Sequence, residues 1–384
     1  MVLPTPPSLE PRRLIRACHI IHSLAPGGAE RVLVQLAASA PAMSIDLSVI
    51  SLVAADDSAY VAALRDKGAH VDEIRAPSRW DPRTLWRAVR AAEQRQPDII
   101  HTHLKHADIV GALAARRLGC PQVSTLHEIQ EALAPVPRFK RRVGAWARIH
   151  SATRTVTVSE AQRTLYLRTF PVDPRSVVTI RNGIDLHVAP NGTRQRIRAE
   201  WGLDGHAVAA LMLAVMRPGK GHFELLDAVE RIPPDSPLHF VLAGDGPLRA
   251  QLQAHVTARS LLRGRITFLG WREDVADLLP AADLVVHPTL FDSLPTALIE
   301  AVAGGLPVVA TRVGGVPEIV DETSGILVEP GQRDELAAAL MELGSSATRR
   351  QDLGAGARLH YEREFSAGRW GERLRSLYDE LLAG

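Results

Sequence analysis

Apolar runs of strand length alternate with amphipathic segments of helix length along the whole chain, and this alternation limits the fold more than any other feature. In the first half, strands are predicted at 15–21, 46–52, 98–101, 122–126, 155–158 and 177–180, with helices at 30–40, 60–68, 84–94 and 107–118. Strands separated by helices of this length form parallel βαβ units, because a parallel connection must cross the sheet. The sequence therefore predicts a doubly wound α/β sheet.

The pattern stops near residue 181 and then restarts, which predicts a second lobe. Arg181-Asn-Gly-Ile-Asp185 forms a turn ahead of a polar, proline-containing stretch, and we place the domain boundary there. Strands are then predicted at 207–215, 238–243, 266–269, 284–287, 308–310 and 325–328, with helices at 223–230, 248–259, 275–279, 296–303 and 333–343. We expect two Rossmann-like lobes that face each other across a central cleft, where ligands bind.

The composition excludes several classes of protein. A formal net charge of +2 on 384 residues is too small to indicate nucleic acid as a partner. Cys18 and Cys120 have neither disulfide nor metal-ligand spacing, so both are expected to be reduced thiols. The first 13 residues lack the apolar core of a signal peptide, and no apolar run approaches the ~20 residues that cross a bilayer. We expect a soluble, cytoplasmic protein.

The stretch 288–311 predicts a helix N-terminus that binds an anion beside two carboxylates. Asp292 lies in a loop, the helix opens near Pro295, and Asp292 and Ser293 are residue types that cap such a turn. The backbone amides of Ser293, Leu294, Pro295 and Thr296 surround this point, although proline itself has no N–H. Glu300 lies about 8 Å further along the helix. This layout suits a nucleotide sugar, and an ordinary loop–helix–strand unit with two solvated acids is the alternative.

Two further loops follow predicted strands and contain glycine. Gly27 and Gly28 precede a helix, where glycine lets a backbone approach a ligand closely. They do not form the G-x-G-x-x-G pattern of nicotinamide-binding proteins. Arg217 and Lys220 lie in Met216–His222, where they could clamp a diphosphate; a solvated basic loop is the alternative. The glycine spacing excludes a P-loop.

Other candidate residues lie near predicted strand ends. Gly244 and Asp245 belong to a tight turn that is a second candidate for the cleft lining. His101, His103 and His127 cluster at strand ends, but their spacing fits no usual zinc pattern, so no metal is predicted. His127 is a candidate hydrogen-bonding or acid/base group, with a plain surface histidine as the alternative.

The segment 137–150 is the most basic part of the chain. On a helical wheel one face carries Phe139, Val143, Trp146 and Ile149, while the basic residues Arg138, Lys140, Arg141 and Arg148 lie mostly away from it. Residues 138–150 are therefore a candidate peripheral contact with an anionic membrane. A solvated helix that packs its apolar face on the first lobe is the alternative.

With these parts in order, the chain resembles the glycosyltransferase family 4 enzymes. The resemblance runs from Pro26 to the C-terminus, and its further markers are His101-Thr-His103, Ser124-Thr-Leu-His-Glu128, Val156-Thr-Val-Ser-Glu160, Ile180-Arg-Asn-Gly-Ile-Asp185 and Gly314-Gly-Val-Pro-Glu-Ile319. It implies the GT-B fold and metal-independent, retaining transfer from a nucleotide-diphosphate sugar. It also implies an acceptor-binding domain at 1–185, a donor-binding domain at 186–364, and a helix at 365–384 that packs back on the first domain.

The resemblance assigns roles to several candidates. Asp292 maps to the acid near the reacting carbon, which is usually glutamate, and Glu300 maps to the acid that holds the ribose. Lys220 grips the diphosphate, whereas the family's arginine five residues earlier is Val215 here. We hypothesise that Arg217 supplies the missing charge. The remaining assignments place Gly27 and Gly28 near the donor phosphate, and His127 near the reacting centre.

The predicted activity is hexosyl transfer, catalysed by Asp292, His127 and Lys220, with no cofactor beyond the nucleotide-sugar co-substrate. The acceptor is expected to be a glycan, a lipid-linked compound or a small molecule, in cell-envelope or exopolysaccharide synthesis on the inner face of the cytoplasmic membrane. Two alternatives stay open, a nucleotide-sugar 2-epimerase of the same fold and a non-catalytic nucleotide-binding member. A glycosidase is disfavoured because its carboxylates flank the scissile bond, whereas Asp292 and Glu300 lie along one element.

Overall fold

Two parallel β-sheets organise the chain, as seen in a computed structural model that describes residues 12–25, 27–54, 58–74, 82–103, 105–127, 146–186 and 189–383. The strands of the first sheet are β1 (Ile15–Ser23), β2 (Ile45–Val53), β3 (His70–Glu73), β4 (Ile99–His103), β5 (Gln122–Leu126), β6 (Arg154–Thr157) and β7 (Val177–Thr179). The helices in this part are α1 (Gly28–Ser39), α2 (Ala59–Asp66), α3 (Pro82–Arg95), α4 (Lys105–Leu118), α5 (146–151) and α6 (Glu160–Thr169).

The second sheet follows in the chain without returning to the first. Its strands are β8 (Val208–Leu213), β9 (Leu238–Ala243), β10 (Ile266–Gly270), β11 (Leu284–His287), β12 (Val308–Thr311) and β13 (Gly325–Val328). The helices are α7 (Thr193–Glu200), α8 (His222–Val229), α9 (Arg249–Ala258), α10 (Val275–Leu278), α11 (Thr296–Ala303), α12 (Arg333–Ser345), α13 (Ala347–Glu364) and α14 (Ala367–Ala383). These two sheets confirm the predicted two-lobe α/β fold.

Each sheet has a point at which the strand order reverses. The first sheet has the order β3-β2-β1-β4-β5-β6-β7 and the second the order β10-β9-β8-β11-β12-β13, and neighbouring strands pair in parallel. Ligands of doubly wound sheets bind outside the carboxyl ends of the strands at such a reversal. The loops after β1 and β8 lie at these points, and they contain Gly27 in the first lobe and Arg217 and Lys220 in the second.

The C-terminal helix α14 packs against the first sheet, far from its neighbours in sequence. Trp370, Leu374 and Tyr378 are buried together with Ile15 and Leu33 in one apolar core. The predicted terminal helix at 365–384 thus contributes side chains to the lobe built from the start of the chain. The domain boundary at residue 185 stays a prediction. Among the described helices, none is long and apolar enough to span a membrane.

Candidate active site

The carboxyl ends of the two sheets face each other, and side chains make contact across the gap. Arg31 on α1 forms an ion pair with Glu300 on α11. Gln162 Nε2 on α6 donates to Ser293 Oγ at 3.4 Å. These contacts bring the start of α1, the start of α6 and the start of α11 together in one cleft.

Lys220 and Asp292 form an ion pair within this cleft. The Lys220 Nζ–Asp292 Oδ2 distance is 2.5 Å, and both side chains are mostly buried. The loop that carries Lys220 is fixed to the loop that carries Asp292, because the Leu290 N–H and the Thr289 hydroxyl both donate to the carbonyl of Gly219. The fold thus joins two residues 72 positions apart that sequence analysis had selected separately.

Asp292 is ionised over the whole physiological pH range. Burial would raise the pKa of this carboxyl, but the nearby His287 and Lys220 outweigh burial and lower the pKa to about 2. His287 Nε2 lies 3.7 Å from Asp292 Oδ2, just beyond hydrogen-bond distance. An ionised Asp292 keeps Lys220 oriented in the cleft.

Glu300 is the more deeply buried of the two predicted acids. Its side chain is 4% exposed, and Arg31 is its ion-pair partner. Burial raises the pKa of Glu300, and the nearby Arg31 opposes that rise only in part. A buried carboxylate beside a half-exposed arginine is suited to accept hydrogen bonds from ligand hydroxyls, because it has few competing waters.

The start of α11 differs in detail from the sequence prediction. Pro295 is the N-cap, and the helix begins at Thr296, with no side-chain cap hydrogen bond at that position. The expected capping by Asp292 and Ser293 is therefore wrong, because their side chains contact Lys220 and Gln162 instead. Leu294 is buried beneath the turn. The Leu298 N–H already donates to the Pro295 carbonyl at 3.0 Å, so the N–H groups of Thr296 and Ala297 are the ones at this helix end that are suited to an anion.

Two glycines support the loop that carries Asp292. Gly314 has φ +49°, and an added Cβ there would lie 1.8 Å from the carbonyl oxygen of Asp292. At Gly315 the added atom would lie 2.0 Å from the carbonyl oxygen of Ser293, and the Gly315 N–H donates to the Asp292 carbonyl at 3.2 Å. A side chain at either position would displace Asp292 from the cleft.

The predicted glycine loop of the first lobe lies at the N-terminus of α1. Gly27 is the N-cap and has an extended backbone that any residue can adopt. A Cβ at Gly28 would meet no heavy atom within 4 Å. Packing does not require glycine at position 28, and the space beside it is open to a ligand.

The turn at 244–245 has a structural role as well as a place near the cleft. Gly244 has φ +145°, and a Cβ there would lie 1.9 Å from the Ala214 carbonyl oxygen, so only glycine fits. The Asp245 carboxylate accepts from the Gly246 N–H at 2.7 Å and from Arg249 at 2.6 Å.

The predicted diphosphate-binding residue Arg217 lies on the same loop as Lys220, and its side chain is exposed.

His127 follows β5 directly, at the carboxyl edge of the first sheet. Its Nε2 lies 2.7 Å from Nδ1 of His103. Burial lowers the pKa of His127 to about 4, so the ring is neutral at physiological pH. Its neighbour Glu128 lies outside the described residues.

The basic segment is described only from residue 146 onward. Trp146 is 62% exposed. Arg148 was expected on a solvated face, and this is wrong, because Arg148 is buried and forms an ion pair with Asp108 at 2.8 Å. Arg148 is therefore not available as one of the basic residues of the predicted membrane contact. The part of the segment before residue 146 lies outside the described residues.

Two residues of the cleft were missed by the sequence reasoning. Arg31 immediately follows the Gly-Gly-Ala-Glu motif, and its place after β1 was the available signal. His287 ends β11, just before the stretch 288–311. Neither of its ring nitrogens has a hydrogen-bond partner among the described residues, so only the fold identifies it as a neighbour of Asp292.

The two sheets and the cleft between them define the GT-B class of glycosyltransferase folds. Residues 26–188 match the family model described as Glycosyltransferase Family 4, and residues 208–346 match the one described as Glycosyl transferases group 1. A crystal structure of Anabaena HepE in complex with UDP-glucose superposes with a TM-score of 0.83 at 23% identity, covering 95% of this chain and 100% of that chain.

The names of similar proteins agree with the family models. A D-inositol 3-phosphate glycosyltransferase from Saccharomonospora viridis is 33% identical, with 74% of this chain and 70% of the relative covered. The UDP-Gal:alpha-D-GlcNAc-diphosphoundecaprenol alpha-1,3-galactosyltransferase of Escherichia coli is 29% identical, with 68% and 70% covered. The chain belongs to glycosyltransferase family 4.

Proposed function

We propose that the protein is a retaining glycosyltransferase that moves a hexosyl group from a UDP-sugar to a hydroxyl of a glycan, lipid-linked or small-molecule acceptor. The observation that carries this proposal is the contact between Lys220 and Asp292 beside the N-terminus of α11, with Glu300 further along the helix. A diphosphate fits the lysine and the helix N-terminus, and a ribose fits Glu300. UDP is favoured as the donor nucleotide because HepE was crystallised with UDP-glucose and the E. coli relative is named for UDP-Gal.

In the proposed reaction the acceptor hydroxyl oxygen attacks the anomeric carbon from the face on which the diphosphate leaves. The bond from that carbon to the phosphate oxygen breaks, and its electron pair and the acceptor proton go to the leaving diphosphate. Lys220 and the N–H groups at the start of α11 stabilise the charge that develops there. Asp292 orients Lys220 and contacts the sugar, and His127 meets the sugar from the first lobe. Arg217 adds a second positive charge beside the diphosphate.

The acceptor site is proposed to lie in the first lobe. The E. coli relative is named for a diphosphoundecaprenol acceptor, which supports a lipid-linked acceptor here and a role in cell-envelope glycan synthesis. A lipid-linked acceptor also favours a peripheral site on the inner face of the cytoplasmic membrane, with contact through residues 138–150. The exposed Trp146 and its stacked neighbour His150 fit such a contact.

Nucleotide binding gives the direct test of the donor site. UDP is expected to raise the melting temperature by several degrees, since a ligand at a hundred times its dissociation constant adds about 2.7 kcal/mol of stability. GDP, ADP, TDP and CMP should give smaller shifts. A chelator should leave the UDP shift unchanged, because no metal takes part in the proposal. The absence of a shift with any nucleotide would contradict the diphosphate clamp.

Product analysis separates the proposal from its two alternatives. A transferase releases UDP from a UDP-sugar as it glycosylates an acceptor. A 2-epimerase converts the donor without any acceptor, and a non-catalytic member binds the nucleotide and changes nothing.

Glu300→Gln is expected to weaken UDP binding by about 10- to 100-fold, because a hydrogen bond to a charged group contributes about 1.5–3 kcal/mol. The same change should stabilise the unliganded protein at pH 7. Burial raises the pKa of Glu300, so its contribution to stability is present at low pH and is lost as pH rises through the folded-state pKa. The stability gain should therefore shrink as pH falls towards 4.

The control for this variant is Glu318→Gln. Glu318 also forms an ion pair across the lobes, with Arg181 at 2.8 Å, but it has no proposed contact with the donor. Calorimetric titration with UDP and thermal melts at several pH values provide both measurements. Unchanged UDP affinity in Glu300→Gln would rule out the ribose assignment.

A further inference from the structure

Four histidines, one tyrosine and one threonine form a continuous hydrogen-bonded chain inside the first lobe. In order from the cleft, its members are His127, His103, His19, Tyr378, His101 and Thr125. The successive distances between their polar atoms are 2.7, 2.8, 3.0, 2.6 and 2.6 Å. Apart from His127, which is partly exposed, every member is buried. The proposed reaction uses only His127, so the purpose of the other five is open.

The histidines of this chain are neutral. Burial lowers the pKa of His19 to about 3 and that of His127 to about 4, and it holds the pKa values of His101 and His103 well below the usual range. A neutral imidazole has one N–H donor and one acceptor nitrogen. Each ring between two partners therefore donates to one neighbour and accepts from the other, so the whole chain runs in one of two directions.

Thr125, at the buried end of the chain, decides in which direction the hydrogen bonds are donated. Among the described residues, Thr125 Oγ1 has one hydrogen-bond partner, Nε2 of His101. If His101 donated, the Thr125 hydroxyl proton would be a buried donor without an acceptor, which is unfavourable. If Thr125 donates, only an oxygen lone pair is left unused. The protons then point from Thr125 to the cleft, donated in turn by His101 Nδ1, the Tyr378 hydroxyl, His19 Nδ1 and His103 Nδ1.

We propose that this chain holds His127 as the tautomer that carries its proton on Nδ1, so that His127 donates a hydrogen bond to an oxygen atom of the bound sugar or its leaving phosphate. His103 donates to Nε2 of His127, which leaves the Nδ1–H as the group that a substrate meets. This inference rests on the proposed function for the identity of the substrate. His127 is thereby a hydrogen-bond donor in the cleft and not a general base, and the five members behind it are positioning residues.

A metal site is the competing explanation for this cluster. Ring nitrogens of His19, His101 and His103 lie within 4.8 Å of one another. Two nitrogens on one tetrahedral zinc ion lie about 3.3 Å apart, because each is about 2.0–2.1 Å from the metal. The 2.8 Å between His19 Nδ1 and His103 Nε2 is a hydrogen-bond distance, and the Tyr378 hydroxyl bridges His19 and His101. The geometry favours the proton chain.

Nitrogen NMR of ¹⁵N-histidine-labelled protein tests the tautomer without any substrate. The His127 signals, assigned by their loss in His127→Gln, should show a protonated Nδ1 and an unprotonated Nε2. Thr125→Asp places a carboxylate that only accepts beside His101 Nε2, so it should reverse the chain and move the His127 proton from Nδ1 to Nε2. Tyr378→Phe, added to Thr125→Asp, cuts the chain and should return the proton to Nδ1. The matched controls Thr125→Ser, which keeps the hydroxyl, and Tyr361→Phe, which removes a different buried hydroxyl bonded to the Ile184 carbonyl, should leave the signals unchanged.

Kinetics test the consequence for transfer. Thr125→Asp, which removes the Nδ1–H of His127 from the cleft, should lower kcat about 5- to 10-fold, the equivalent of one hydrogen bond, with the donor KM unchanged. A wild-type His127 protonated on Nε2, or a His127 tautomer that Thr125→Asp leaves unchanged, would overturn the proposal. So would a stoichiometric divalent metal in the purified protein. The NMR measurement needs neither a sugar donor nor an acceptor substrate. The hydrogen-bonded chain is therefore tested even if no sugar transfer is found.

Discussion

Replacing Lys220 with alanine is expected to lower kcat/KM for sugar transfer by about 10²- to 10³-fold. That is the usual loss when one preorganised group that stabilises a developing negative charge is removed. Lys220 has this position because the loop after β8 is bonded to the loop after β11, which places its ammonium 2.5 Å from Asp292. The loss should fall mainly on kcat, since charge on the diphosphate grows as the bond to the sugar breaks.

Two controls separate this effect from general damage. Lys67 is an exposed lysine at the end of α2, and Lys67→Ala should leave activity unchanged. Lys220→Arg keeps the charge but changes its geometry, and it should retain part of the activity. Circular dichroism and the melting temperature show whether each variant is folded. Full activity in a folded Lys220→Ala protein would disprove the assigned role.

Replacing Arg148 with methionine is expected to destabilise the protein by about 3–5 kcal/mol, the cost of breaking a buried ion pair by removing one partner. The Arg148 and Asp108 side chains are 3% and 0% exposed. Asp108 also accepts hydrogen bonds from Thr102 at 2.6 Å and from Ser124 at 2.7 Å, so the network joins α4, β4, β5 and α5. This loss is a large fraction of the free energy of unfolding of a whole domain, which is typically about 5–15 kcal/mol.

The double variant Arg148→Met/Asp108→Leu provides the matched control. Two apolar side chains leave no buried charge without a partner, so the double variant should be more stable than Arg148→Met alone. Urea denaturation measures the free energy of unfolding of all three proteins. A single variant as stable as the wild type would show that the ion pair is solvated in solution.

Much of the secondary structure could be predicted because buried parallel strands are continuous apolar runs. Every predicted strand is present, with ends shifted by no more than two residues. The strand His70–Glu73 was missed because it is a short, polar edge strand with no buried residue. The helix Ala347–Glu364 was missed as well. Its Gly354 and Gly356 weaken the helical signal, yet both allow close packing, since an added Cβ would lie 2.4 Å from the Gly305 carbonyl oxygen and 2.0 Å from that of Thr323.

The candidate site was partly predictable for a similar reason. Asp292, Lys220 and Glu300 follow strands or begin a helix at the carboxyl edge of the second sheet, and parallel topology brings such positions together. Their partners could not be predicted from local pattern. Arg31 contacts Glu300 from the other lobe, and His287 was hidden at the end of an apolar strand.

The sequence by itself determined the fold class, the family and most of the donor-site candidates, because hydrophobic period, turn residues and short motifs are local properties. Only the tertiary structure decided which charges meet. Arg148 was expected at the surface, but it forms a buried ion pair with Asp108. Tyr378 is 359 residues from His19 in sequence, yet its hydroxyl is hydrogen-bonded to that ring in the chain behind His127. Burial and hydrogen-bond partners depend on the packing of distant segments, and packing sets the pKa and the tautomer of each group.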